Sequence, residues 1–304
     1  MRIGLAIPTL NAGDLWFECL RAIDSQSLSL ARKLVIDSGS TDETVEKARA
    51  SGFDVVRIEK KEFNHGGTRQ QAVEDLVDCE IVIFLTQDAV LANSRALAEI
   101  VQCFENPRVA LAYGRQLPHL HAKPLETHAR LFNYPPVTQL KDAAAVPKLG
   151  AKVFFCSNSF AAYRRSVLLS LGGFRRDLIL GEDAEYAARA VDAGYVNVYC
   201  ASAMARHSHD YSAAQIFRRY FDIGVFHEQN TWLGKRFGTH GGEGLRYILS
   251  EMSYLTRCAP LQIPPALLHT VMKLLGYRLG RQNEMLPRKL KRLLSMSPSY
   301  WRTK

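Results

Sequence analysis

Two acidic stretches, a histidine pair and a glycine turn hold the side chains with chemistry to offer. Leu85-Thr86-Gln87-Asp88 closes the most apolar run of the chain, residues 80–85. A carboxylate leaving a buried strand is costly unless it is paired or ligates a cation. An oxygen donor there suits Mg²⁺ or Mn²⁺ on a diphosphate. The plainer role, a cap on the next helix, is hard to fill, because that helix is expected to start near Ser94. Gly181-Glu182-Asp183-Ala184-Glu185 opens another helix. Three carboxylates in four positions repel one another, which raises the affinity of one for a proton and makes it usable as a base. The same residues equally suit a helix N-terminus, whose dipole favours negative charge. His207-Ser208-His209 follows an expected strand at residues 195–200. It offers a metal or phosphate contact, or a structural role. A Ser-His-Asp triad is not supported, since no G-x-S-x-G is present.

Two further turns belong with these. Asp37 ends a strand at residues 33–37 and leads into Ser38-Gly39-Ser40-Thr41-Asp42. A carboxylate there accepts hydrogen bonds from a ribose hydroxyl or a base N–H. Ser40 with Glu43 reads as a capping box for a helix over residues 40–51, with Asp42 in its first turn. Asn64-His65-Gly66-Gly67-Thr68-Arg69 opens a helix over residues 67–77. A helix N-terminus attracts anions, and Arg69 adds a planar fork suited to phosphate. A purely structural turn is the alternative. The spacing is neither Walker A nor G-x-G-x-x-G, so an ATPase and a Rossmann dehydrogenase lack support.

These residues need elements to hold them. Strands are expected at residues 2–8, 33–37, 54–58, 80–85 and 109–113. Helices at 14–25, 40–51, 67–77 and 94–104 alternate with them. Such alternation predicts an α/β fold with a mostly parallel, doubly wound sheet covered on both faces. Ligands then bind beyond the carboxyl ends of the strands. Residues 115–150 carry five prolines and three histidines and read as a long excursion with one short helix near 126–132. A second block follows, with a strand in Ser159–Arg165 and helices near 166–171 and 182–193. Beyond His209 the chain turns helical, aromatic and basic.

The 304 residues carry a formal net charge of +9. Residues 1–210 hold 24 Lys/Arg against 25 Asp/Glu, while residues 211–304 hold 15 against 5. The excess thus lies in the last third, which argues against a nucleic-acid footprint spread over the fold. Cys19, Cys79, Cys103, Cys156, Cys200 and Cys258 form no C-x-x-C pair and read as free thiols of a reducing compartment. The N-terminus lacks a signal-peptide pattern and no apolar run is long enough to span a bilayer. A cytoplasmic protein is expected. Residues 264–277 and 287–301 combine apolar helical spacing with Lys/Arg, Tyr and Trp, which suits a helix on an anionic membrane. Packing on the first domain, or a homodimer contact, is the competing expectation.

Taken in order, Ile7-Pro8-Thr9-Leu10-Asn11, residues 36–42, Thr86-Gln87-Asp88, Leu171-Gly172-Gly173-Phe174 and Gly181-Glu182-Asp183 resemble the family 2 glycosyltransferases, inverting enzymes of GT-A fold. Residues 63–69, 84–89 and 207–209 look like the bacterial rhamnosyltransferases of surface-polysaccharide (O-antigen) assembly. The resemblance implies a GT-A domain over residues 1–210, with a nucleotide-sugar half at 1–114 and an acceptor half at 115–210. The basic helical region is 211–304. It implies dTDP-L-rhamnose as donor, bound through Pro8, Asn11, Asp37, Gly67, Arg69 and Gln87. It also implies a Mg²⁺ or Mn²⁺ ion on Asp88 and His207, with Asp183 as base. Thr86 stands where the family carries the first carboxylate of its D-x-D motif, so one charged ligand is missing. The implied acceptor is a glycan, often lipid-linked, placing the enzyme on the cytoplasmic face of the inner membrane. Another UDP-, GDP- or dTDP-sugar is the alternative donor. A nucleotidyltransferase would want a basic Gly-rich loop that Asn11-Ala12-Gly13-Asp14 does not supply. A basic membrane-binding module leaves Asp88 and Asp183 without a task.

Overall fold

A computed structural model describes residues 1–238 and 242–302. The chain divides into two compact units. The first comprises Met1–Leu117, Tyr134–Asp177 and Glu182–His207; the second comprises Pro118–Asn133, Leu178–Gly181 and Ser208–Lys304.

The first unit is built on one nine-stranded sheet. Its elements begin β1 (Ile3–Thr9), α1 (Leu15–Asp24), β2 (Arg32–Asp37), α2 (Thr44–Ala50), β3 (Asp54–Arg57), α3 (His65–Asp75) and β4 (Ile81–Leu85). They continue through β5 (Val90–Leu91), α4 (Ala96–Gln102) and β6 (Val109–Leu117). After α5 (Pro124–Asn133), which belongs to the second unit, come β7 (Gln139–Lys141), α6 (Val146–Leu149) and β8 (Phe160–Arg164). The last are α7 (Arg165–Ser170), α8 (Glu182–Asp192) and β9 (Val196–Arg206). The strand order is β3-β2-β1-β4-β8-β6-β9-β5, with β7 also on β9. Strands β1 to β4 pair in parallel, as do β6 and β9, while β8 runs antiparallel between β4 and β6. The α/β alternation expected from the sequence is present, and the sheet is mixed, with four parallel and four antiparallel pairings among the described residues. β4, Ile-Val-Ile-Phe-Leu, is buried at every position, as a central strand between β1 and β8.

Three expectations for this unit and its connections need correction. The capping box at Ser40 does not form, and α2 starts only at Thr44. The reason is local competition: the Ser40 hydroxyl donates to Asp37, and Asp42 accepts from Thr44. Short polar side chains satisfy such turns as readily as a helix end. The excursion over 115–150 is more ordered than its prolines suggest. β6 runs on to Leu117, and α5, β7 and α6 follow. β9 extends past residue 200 to Arg206, delivering His207 directly from its end.

The second unit is helical: α5, α9 (Ala213–Gln229), α10 (Thr231–Phe237), α11 (Glu243–Cys258), α12 (Ile263–Arg281) and α13 (Arg288–Leu294). α9 and α12 cross closely at glycines. An added Cβ at Gly224, Gly276 or Gly280 would lie 2.4, 2.3 or 2.0 Å from a carbonyl oxygen of the facing helix. α12 leaves Leu267, Leu268, Val271, Leu274 and Leu275 about half exposed. That one-sided spacing is the apolar stripe expected over 264–277. The single helix expected over 287–301 is corrected, because α13 ends at Leu294. Ser295 is extended and the Met296 N–H donates to Asp222 at 3.0 Å. Pro298 then disfavours helix at the residue before it. Trp301 is buried beside Phe221 and so is not a surface anchor. Among the described residues no helix is long and apolar enough to cross a membrane.

Candidate active site

The turns after β1, β2 and β4 meet through side chains that bond backbone. Asp37 is fully buried at the end of β2. Its Oδ1 accepts from the N–H groups of Gly39 and Ser40 at 3.1 and 2.9 Å, and its Oδ2 accepts from Thr9 Oγ1 at 2.9 Å and from Ser40 Oγ. Asn11 adopts a left-handed backbone at φ 44°, which Asn tolerates better than most residues. Its N–H donates to Ser40 Oγ and its Oδ1 accepts from the Thr41 N–H, both at 2.8 Å. Gln87 reaches across as a strand would: Oε1 accepts from Leu10 N–H at 2.8 Å and Nε2 donates to Leu10 O at 3.2 Å. Pro8 lies where β1 still pairs with β2 but its pairing with β4 has ended at Ala6. Pro8, Asn11, Asp37 and Gln87 therefore sit together at one carboxyl edge of the sheet. Their first task here is to lock three turns.

Asp88 and His207 meet beyond β4 and β9, with Oδ1 and Nε2 3.5 Å apart. His207 is held from its other side by Gln116 of β6, whose Oε1 lies 3.1 Å from Nδ1. On the other end of the same amide, Gln116 Nε2 donates to Ser157 Oγ at 2.8 Å. The imidazole is thus held on both sides, by the Gln116 amide at Nδ1 and by Asp88 at Nε2. An imidazole anchored this way is the usual arrangement of a metal ligand. Carboxylate oxygen and imidazole nitrogen both suit Mn²⁺ and fit a divalent cation. Beside them Thr86 contributes only a hydroxyl, whose Oγ1 is buried with no hydrogen-bond partner among the described residues.

Asp183 lies in the first turn of α8. Its Oδ2 accepts from the Asn158 N–H at 2.9 Å and its Oδ1 from its neighbour Ala184 at 2.8 Å. Burial, then the adjacent Glu182, push its carboxyl up to about 6. Such a group is ionised near neutral pH and more basic than an ordinary aspartate. For Glu182 burial acts upward too. The Arg69 guanidinium, with His65 and the Asn158 amide, outweighs it and holds Glu182 below the usual carboxylate range.

Arg69 and Gly67 are not disposed as the sequence suggested. Arg69 was expected to offer its fork to phosphate. Instead its side chain is 7% exposed and Nη1 lies 2.9 Å from Glu182 Oε1. A buried guanidinium is stable only beside an opposite charge, and α8 supplies it. The Gly67 N–H, expected to meet an anion, is capped by Asn64 Oδ1 at 2.7 Å. The glycine that matters sterically is Gly66, where a Cβ would lie 1.9 Å from the Arg175 carbonyl oxygen.

Gln116, Ser157, Asn158 and the Arg69–Glu182 pair escaped the sequence reading. Partners separated by 41 and 113 positions leave no local signal. A hint was available in Cys156-Ser157-Asn158-Ser159, a polar run before an apolar strand. That turn joins both halves of the site, because Ser159 O also accepts from the Thr86 N–H.

A sheet of this order, with carboxylates at its strand ends and helices on both faces, is of the GT-A type. Solved structures share it. The mannosyltransferase PcManGT from Pyrobaculum calidifontis, in complex with GDP-Man and Mn²⁺, has a TM-score of 0.62 at 21% identity. That match covers 96% of this chain and 84% of the other. Residues 1–349 of TarS from S. aureus follow at a TM-score of 0.51 and 15% identity, covering 93% of this chain and 91% of TarS. Residues 5–172 match glycosyl transferase family 2, and the chain belongs to that family. It is a glycosyltransferase. It is 49% identical over 302 residues to the O-antigen chain rhamnosyltransferase RfbN of Salmonella typhimurium, covering 99% of this chain and 96% of RfbN. It is 48% identical to the O-antigen chain rhamnosyltransferase WbaN of Salmonella anatum, covering 98% and 95%.

Proposed function

We propose that the protein is an inverting, metal-dependent rhamnosyltransferase that moves L-rhamnose from dTDP-L-rhamnose to a lipid-linked glycan of surface-polysaccharide assembly. The observation that carries this reading is near-full-length similarity to two O-antigen chain rhamnosyltransferases. The acidic and histidine groups described above supply the chemistry.

Residues 1–210 form the transfer domain. Asp37, Asn11, Pro8 and Gln87 build the edge against which the nucleotide lies. Asp88 and His207 would hold Mg²⁺ or Mn²⁺, which would supply positive charge to the departing diphosphate. Asp183 takes the proton of the acceptor hydroxyl as its oxygen attacks the anomeric carbon. The bond from that carbon to the diphosphate oxygen breaks, and its electron pair leaves with the nucleoside diphosphate. One displacement inverts the centre, so a β-linked donor yields an α-rhamnoside.

The helical region at 211–304 holds the enzyme on the cytoplasmic face of an anionic membrane, near a lipid-linked acceptor. Its excess of cations and the exposed stripe of α12 support this. Leu268→Ser with Leu275→Ser is expected to weaken sedimentation with anionic vesicles while the helical circular dichroism persists. Unchanged sedimentation removes the membrane part of the reading.

The decisive experiment is a donor screen on purified protein, reading nucleoside diphosphate release with dTDP-rhamnose against UDP- and GDP-sugars. Preference for dTDP-rhamnose is expected. Turnover of a UDP- or GDP-sugar alone overturns the donor assignment. The anomeric configuration of the product, read by NMR, tests inversion separately.

A further inference from the structure

Arg69 and Glu182 form an ion pair with side chains 7% and 5% exposed. Removing two charges from water is expensive, and a well-packed apolar pair often serves stability as well. The pair therefore invites a functional reason, and its surroundings supply one. Glu182 and Asp183 are neighbours in α8, and a single residue grips both. Asn158 donates its backbone N–H to Asp183 Oδ2 at 2.9 Å and its side-chain amide to Glu182 Oε1 at 3.0 Å. Its own Oδ1 accepts from the Tyr163 hydroxyl at 2.7 Å. Every polar atom of the Asn158 side chain is thereby engaged, and its rotamer has no freedom. α3 is seated against the same place, since the Cβ position of Gly66 is 3.4 Å from Glu182 Cβ.

We propose that Arg69, Glu182 and Asn158 are positioning residues for Asp183, a buried ion pair and an amide clamp that aim its carboxylate and govern when it carries its charge. This rests on the reading of Asp183 as the base. It gives Arg69 a task inside the protein rather than on the donor diphosphate.

The direction of each effect follows from which groups face Asp183. Glu182, from its own helix, repels a second negative charge. Arg69, from α3, attracts it, and His65 on the same helix acts on Glu182. From β8 and the turn before it come Cys156 and Tyr163, whose acidic groups burial keeps protonated far above neutral pH. The Asn158 and Ala184 N–H groups complete the shell. The net field at Asp183 is thus a contest between one anion and one cation.

Profiles of kcat/KM against pH for four variants test this, each checked by circular dichroism. Glu182→Gln removes the anion and leaves the cation, so the acid limb moves down by about one pH unit or more. Arg69→Gln does the opposite and moves it up. The double variant, with two amides and no charge, returns the limb towards wild type. Arg69→Lys keeps the charge but loses the planar fork, so kcat falls while the limb stays near its place. The Asp183 carboxyl, followed by ¹³C NMR titration in the same variants, moves with the limbs. Limbs that coincide in every variant that folds, Arg69→Gln among them, with only the amplitude lowered, overturn the proposal even if Glu182→Gln fails to fold. Asp183→Asn separates the two layers. Activity in that variant sinks the base reading itself, whereas an inactive variant beside unmoved limbs sinks only the positioning role.

Discussion

Two groups of polar side chains lie at the strand ends of the sheet, and they are wired differently. Around β1 and β2 the polar atoms are matched within the wall. Asp37 alone receives four donors, and Gln87 and Asn11 each make a pair of contacts to neighbouring backbone or hydroxyl groups. Around α8 and β9 the match is incomplete. Asp183 sits beside a like charge, and Arg69 Nε and Thr86 Oγ1 have no hydrogen-bond partner among the described residues. Satisfied networks hold shape, whereas unsatisfied buried groups store a readiness to react or to bind. The difference separates a matched wall from the groups to which the proposed chemistry is assigned.

That contrast is open to attack at both ends. Asp183→Asn is expected to lower kcat by about 10²- to 10⁴-fold, the usual worth of a general base, with donor affinity measured by calorimetry little changed. In the wild type the carboxyl pushed up to about 6 must be ionised to accept a proton. Activity should therefore fall as pH drops through that value and level off above it. Chelation is expected to abolish turnover, with Mg²⁺ or Mn²⁺ restoring it, and Asp88→Asn should lose that response. Full activity in EDTA would remove the metal from the picture. Gln116→Leu removes the hydrogen bond that holds the His207 ring at Nδ1 and should weaken Mn²⁺ binding by about 10- to 100-fold, followed by electron paramagnetic resonance without any turnover. The smallest catalytic effect is expected in the wall. Thr9→Val removes one of four donors to Asp37 and should cost about 1–3 kcal/mol in denaturant unfolding while kcat changes little. A large fall in kcat at unchanged stability would erase the distinction between wall and acting groups.

Individual residues show what was legible in the sequence and what was not. Asp88 and Asp183 stood out because a carboxylate after an apolar strand, or among other carboxylates, is anomalous within its own few residues. The strands carrying them were readable for the same local reason, since β4 is apolar at every position. Arg69 misled because its setting is invisible locally. A guanidinium near a helix start looks like an anion site until a glutamate 113 positions away is folded onto it. Gln116 and Asn158 were silent because an amide in a strand or turn has no motif; its meaning is its two partners. The start of α2 was misplaced because Ser40 had a stronger claim in Asp37 than in its own helix. Trp301 looked like a membrane anchor by composition, but packing against Phe221 takes it out of solvent.

The α9–α12 crossing carries a consequence for how this molecule can vary. Most amphipathic helices put their large apolar residues inward, so changing them endangers the fold. α12 reverses the arrangement, with glycines at the seam and leucines outside. Its seam tolerates almost no new atom, whereas its outer face can be rewritten with little effect on folding. That outer face is a strip of sequence open to change by substitution while the seam and the sheet stay as they are.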